Sequence, residues 1–154
     1  MIKEFEQLET GEKDLMFSLP IYVAILVAGA DGTIDSTEIQ KSISIAKHKT
    51  KMARKDLLQY YNVVNENFED KIKMAIANLP SEVKEREQAL VKLLEDSNKV
   101  FAALDKVFAI KLYASLRDNA DQVAKASGGI FGYLSIGYEE SRVVELKMIK
   151  DPAA

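Results

Sequence analysis

One run of sixteen uncharged residues, 15–30, constrains this chain more than any other feature. Apolar side chains fall on nearly every side of a helix drawn through it, among them Ile21, Val23, Ile25, Leu26 and Val27. A helix with no polar face must be surrounded by other elements, so it belongs at the centre of the fold. A membrane-spanning helix needs about 20 such residues. Pro20 also interrupts the run, and the expectation is a buried core helix over 18–30. Ser18 is placed as its N-cap and Pro20 in its first turn, where a missing N–H does no harm.

The rest of the chain is punctuated as helices. Ile39, Ile43 and Ala46 predict a second helix after Asp35. A third covers 53–64 and a fourth 69–79. Pro80 stops the chain and Ser81 is placed as the next cap, with Glu82 and Glu85 favourable at the positive helix end. Leu90, Leu94, Phe101, Leu104, Phe108 and Leu112 then share one helix face. They predict one long helix to Ala126, or two with a bend near Asp96, Ser97 and Asn98. After the glycine-rich stretch SGGIFGYLSIG, a last helix is expected over 139–149. No strand pattern competes. The fold class is all-α, a compact bundle of about six to eight helices. It forms one domain over 1–154, with 1–14 as a peripheral N-terminal segment.

Composition removes several classes of function. The chain has no cysteine, which excludes disulfides, thiolate metal sites and thiol redox chemistry. His48 is the single histidine, so no multi-histidine metal site forms within one chain. A net charge of −3 does not by itself point to nucleic acid. The first fourteen residues lack the apolar core of a secretory signal, and the expected location is cytoplasmic.

The stretch AGADGTIDSTEI, residues 28–39, resembles half of a calcium-binding loop. With Gly32 at the turn position, Asp31, Thr33, Asp35 and Glu38 fall where an EF-hand places oxygen ligands. Val27 and Gly29 occupy the first two ligand positions, so a standard EF-hand is rejected. The same residues also read as helix punctuation. Asp35 caps a helix, Glu38 completes a capping box, and Gly32 permits a positive φ. The hexapeptide TIDSTE, 33–38, aligns with SIGYEE, 135–140. That echo suggests two halves related by weak pseudo-symmetry. It would bring Glu140 towards Asp31, Asp35 and Glu38, and carboxylates so gathered repel unless a cation lies between them.

The helix ending in VAGADGTIDSTEI, followed by VAKASGGIFGYLSIGYEE, resembles the tellurite-resistance TerB and TerB-like proteins over about 15–150. The resemblance implies an all-helical fold and a cytoplasmic bacterial stress-response protein. It implies a surface acidic cluster for a divalent cation, calcium foremost, with no organic cofactor. It also implies a protein partner, membrane-associated in some cases. Carried over, the metal residues are Asp31, Asp35, Glu38 and Glu140. Gly137 and Tyr138 stand where the family often repeats acidic residues.

Three other stretches have plainer readings. KHKTKMARK, 47–55, could meet an anionic lipid or nucleic acid, but no aromatic residues interleave with its charges. Its expected state is a solvated helix end that includes an exposed His48. LLQYYNVV, 57–64, is expected in the core. The glycine-rich stretch lacks the Gly-Lys-Ser/Thr of a P-loop and is expected to fold over the core, or to recruit a partner. No nucleophile lies beside a base in the sequence, and the expectation is a non-enzyme without a membrane span.

Overall fold

The computed structural model describes residues 2–29, 36–52, 55–128 and 143–154, with side chains at 36–38, 51–52, 55–56 and 126–128 outside that description. Among the described residues the chain is all-helical. A single 3-10 turn, Lys3–Phe5, precedes α1 (Thr10–Ala28), α2 (Ser36–Met52), α3 (Lys55–Asn65), α4 (Phe68–Asn78), α5 (Val83–Asp96), α6 (Asn98–Ala103) and α7 (Lys106–Gly128). Helix α1 is central and packs against α2, α3, α4, α5 and α7. Its buried residues include Met16, Leu19, Ile21, Val23, Ile25 and Val27.

Helix α1 begins eight residues earlier than the position of Ser18 suggests, and Pro20 lies in its interior. The start is fixed by a capping box built from glutamates. Glu9 accepts from the third helical backbone N–H, and Glu12 Oε1 accepts from Glu9 N at 3.0 Å. A proline this deep in a helix removes the donor that would reach the carbonyl four residues before it. That carbonyl belongs to Met16, and the Tyr60 hydroxyl donates to it at 2.6 Å. Tyr60 is fully buried, so no water competes for the bond. Helix α3 thus supplies the hydrogen bond that the proline withholds, and α1 runs on without a break.

The same tyrosine belongs to an aromatic cluster. Phe5 meets Phe17, Tyr60 and Phe108 edge to face, with centroids 5.0, 6.0 and 5.8 Å away. Phe17 stacks on Tyr60 at 5.6 Å. Such pairs contribute about 0.5–1.5 kcal/mol each beyond area burial. Ile2, Phe5 and Leu8 are all buried, so the segment 2–8 is part of the core. The LLQYYNVV stretch is core as expected, with Leu57, Tyr60, Tyr61 and Val64 buried.

Helix α5 is capped by Glu82 and not by Ser81. Glu82 Oε2 accepts from Glu85 N at 2.8 Å, and the backbone N–H groups of Glu85 and Lys84 hold its carboxyl below the usual range. The long apolar face is bent at two places. At the first, the buried Ser97 hydroxyl turns back to Leu94 O at 2.6 Å and separates α5 from α6. At the second, Asp105 accepts from Phe108 N at 3.0 Å and opens α7. Asn67, at φ 54, makes the left-handed turn between α3 and α4.

The expected last helix, 139–149, is cut short. Helical backbone reaches Val144, and Leu146 then turns left-handed at φ 51. Val143, Leu146 and Ile149 are all buried. Sinking Leu146 completely gains about 1.5–3 kcal/mol, which offsets the roughly 1–2 kcal/mol its backbone conformation costs. Asn98 holds the segment with both ends of its amide, donating to Met148 O at 2.9 Å and accepting from Lys150 N at 2.8 Å.

Removing the Tyr60 hydroxyl tests the proline repair. Tyr60→Phe should lose about 1–3 kcal/mol in denaturant unfolding, because a buried carbonyl is left unsatisfied. In a Pro20→Ala background the alanine N–H can serve Met16 O. There the same change should cost less than half as much. Equal costs in the two backgrounds overturn the account.

Candidate functional site

Helices α2 and α7 each leave one stripe of side chains in an open cleft, to which α3 adds two residues. The cleft volume is about 990 Å³. From α2 come Lys41, Ser44, Ile45, His48 and Lys49, whose spacing is that of one helix face. Helix α7 gives Ile110, Lys111, Ala114, Ser115, Asp118, Gln122 and Lys125, and α3 gives Leu57 and Tyr61. Ile45, Leu57 and Ile110 make the apolar part. Among the described lining residues, four lysines stand against one aspartate.

The floor is a buried hydroxyl pair. Tyr61, 1% exposed, shares a short hydrogen bond with Ser115 Oγ, and Asn119 Nδ2 donates to the Tyr61 oxygen at 3.1 Å. Asn119 Oδ1 has no partner among the described residues. Nearby, Asn65 Nδ2 donates to Ala46 O at 2.7 Å and ties α3 to α2.

One ion pair on the wall crosses between helices and another lies within α7. Lys49 Nζ reaches Asp118 Oδ2 at 2.6 Å, which joins α2 to α7. Lys125 bonds Asp121 at 2.9 Å, and that hydrogen bond and charge raise its ammonium pKa. Lys41 and His48 are exposed. Beyond the α7 ridge lies a second groove of about 510 Å³ with the opposite balance. It holds Asp118, Asp121 and Asp151 against Arg117, whose guanidinium lies 5.8 Å above the Tyr113 ring.

Of the four residues expected to hold a metal, Asp31, Asp35 and Glu140 lie outside the described residues, as does the Glu38 side chain. The paired hexapeptides behind the pseudo-symmetry lie there too, apart from the backbone of 36–38. The last described residue before Asp31 is Gly29, the C-cap of α1. Arg86, 8% exposed on α5, donates from Nη2 to Gly29 O at 3.0 Å. Among the described residues no three His, Asp or Glu side chains gather closely enough to hold a metal ion. Of the basic stretch, His48 and Lys49 line the cleft, and Lys49 is engaged by Asp118. Lys41, Lys111, Lys125, Tyr61 and Ser115 are members that a linear reading passes over. Their signal is helical spacing in two distant segments.

Compared with family models, with curated proteins and with solved structures, the chain matches none of them. No helix among the described residues is long and apolar enough to cross a membrane.

Burial makes the paired tyrosines resist ionisation. Tyr60 is raised well above 10.0 by burial first and by the charge of Tyr61 second. Tyr61 is raised mainly by burial, with Asp118 adding to the shift and bonds from Ser115 and Asn119 opposing it. Their contribution to stability is complete below the unfolded value of about 10 and is lost as pH rises beyond it. In an alkaline titration, phenolate absorbance from these two tyrosines should appear together with loss of helical circular dichroism. Complete ionisation of all six tyrosines with the helices intact contradicts this.

Proposed function

We propose that this chain is a non-enzymatic binding protein, and that the cleft between α2, α3 and α7 holds an anionic protein partner. The observation that carries the reading is the set of lysines lining the cleft, Lys41, Lys49, Lys111 and Lys125, beside the apolar Ile45, Leu57 and Ile110, with Lys49 and Lys125 each also paired to an aspartate. Clefts of this size and mixed lining are where proteins take ligands. Two observations favour binding over catalysis. His48 is exposed and hydrogen-bonds no carboxylate among the described residues. Ser115 is bonded to a phenol that burial keeps protonated, which cannot serve it as a base at neutral pH. Among the described lining residues Tyr61 is the one tyrosine or phenylalanine, and it is buried, so bases have no stacking platform. That favours a protein over a nucleic acid.

Amide chemical shifts test the site. Titration of a short polyglutamate peptide should move resonances along the α2 and α7 stripes, with affinity falling as salt rises. Lys41→Glu should weaken the effect several-fold while leaving the melting temperature nearly unchanged. Shifts scattered over the surface, or none at millimolar peptide, overturn the reading.

A second reading keeps the expectation raised by the TerB resemblance, a stress-response protein with a divalent cation at Asp31, Asp35, Glu38 and Glu140. Its support is the sequence pattern, together with the anchoring by Arg86 of Gly29, two residues before Asp31. With no cysteine, any link to oxyanion resistance would not run through this chain's own thiols. Calcium should raise the melting temperature of the wild type in proportion to the logarithm of its concentration, and should not do so for Asp31→Ala or Asp35→Ala. A wild-type melting temperature unmoved by millimolar calcium, magnesium and manganese ends that reading.

A further inference from the structure

We infer that the occupant of the cleft is an amphipathic α-helix with acidic flanks, supplied by another protein; this rests on the cleft being the binding site. The first argument is shape. From Ile110 to Lys125 the α7 wall runs roughly 22 Å at 1.5 Å per residue, about four helical turns. Both walls are themselves helices that present one face. Each wall carries a small exposed residue, Ser44 on α2 and Ala114 on α7. Small side chains there let a third helix approach closely and seat its ridges between the two walls.

The second argument is the placement of charge. Lys41 and Lys49 are separated by roughly 12 Å along α2, and Lys111 and Lys125 by roughly 21 Å along α7. A phosphate or a single carboxylate needs converging donors, and the two lysines of each wall stand too far apart along their helix to converge on one. They lie along both sides of a trough whose apolar members are Ile45, Leu57 and Ile110. A helix of about 10 Å diameter placed there would set an apolar stripe on those three residues and its two flanks beside the lysines. Charge complementarity makes those flanks acidic. A flat membrane surface cannot enter a trough between two helices.

The probe is a synthetic peptide of about four turns, with leucines on one helical face and glutamates on both flanks. Its control has the same residues rearranged so that the leucines no longer share a face. Binding is followed by fluorescence anisotropy, amide shifts and circular dichroism. The amphipathic peptide should bind ~tenfold or more tightly than its control, a gap of about 1.4 kcal/mol or more. It should also gain helicity and shift the cleft amides. Ala114→Glu and Lys41→Glu should each weaken it severalfold, with folding of both variants checked by their melting temperatures. Equal binding of the two peptides, lysine-dependent and mapped to the cleft, overturns the helix while the cleft reading stands. Binding of neither peptide, or binding indifferent to both variants, overturns both. Phosphatidylglycerol vesicles that bind where the peptides fail overturn the helix in favour of a membrane. Dilution-dependent cleft shifts in the chain alone overturn it in favour of a second copy.

Discussion

A proline in the interior of a central helix leaves one carbonyl without its donor and sets a ring against the preceding turn. In water the helix would end or kink there. In this protein the Tyr60 hydroxyl reaches Met16 O at 2.6 Å from a helix forty-four residues further along the chain. The bond does more than satisfy one oxygen. It fixes the height at which α3 crosses α1, and it holds the Tyr60 ring where Phe5, Phe17 and Tyr61 can pack on it. The N-terminal turn, α1 and α3 therefore meet at one buried residue.

The neighbouring residue carries that order outward. Adjacent positions on a helix point about 100° apart, so fixing Tyr60 towards α1 turns Tyr61 towards α7. There its hydroxyl meets Ser115 and Asn119 and forms the cleft floor. Two consecutive tyrosines thus have separate roles, one repairing the core and one supporting the surface proposed to bind. Lys49 and Asp118 then join the walls above that floor.

Much of this is legible in the sequence. The uncharged run marks the central helix, LLQYYNVV marks buried aromatics, and the break near Ser97 falls where the chain bends. The departures share a physical cause. Ser18 and Pro20 read locally as a helix start, because the donor that lets α1 begin at Thr10 is remote in sequence. Ser81 and Glu82 are both acceptors, and one residue of register decides which caps α5. Leu146 reads as helical because spacings of three suit a helix, yet they also suit successive tight turns with one buried side chain each. The cleft is hidden differently. Lys41, Ser44 and His48 resemble a solvated stripe until α7 is set opposite them, and that pairing is tertiary. The acidic set at Asp31, Asp35, Glu38 and Glu140 remains a reading of pattern alone.

The bonds that build the cleft span long stretches of chain, 69 residues from Lys49 to Asp118 and 54 from Tyr61 to Ser115. During synthesis α2 and α3 emerge well before the helix that completes their surface. At about 5–20 residues per second, the delay is on the order of several seconds. Over that interval Ile45, Leu57 and Tyr61 wait without their opposite wall. The trough exists only once α7 has arrived, since α2 and α3 supply just one side of it.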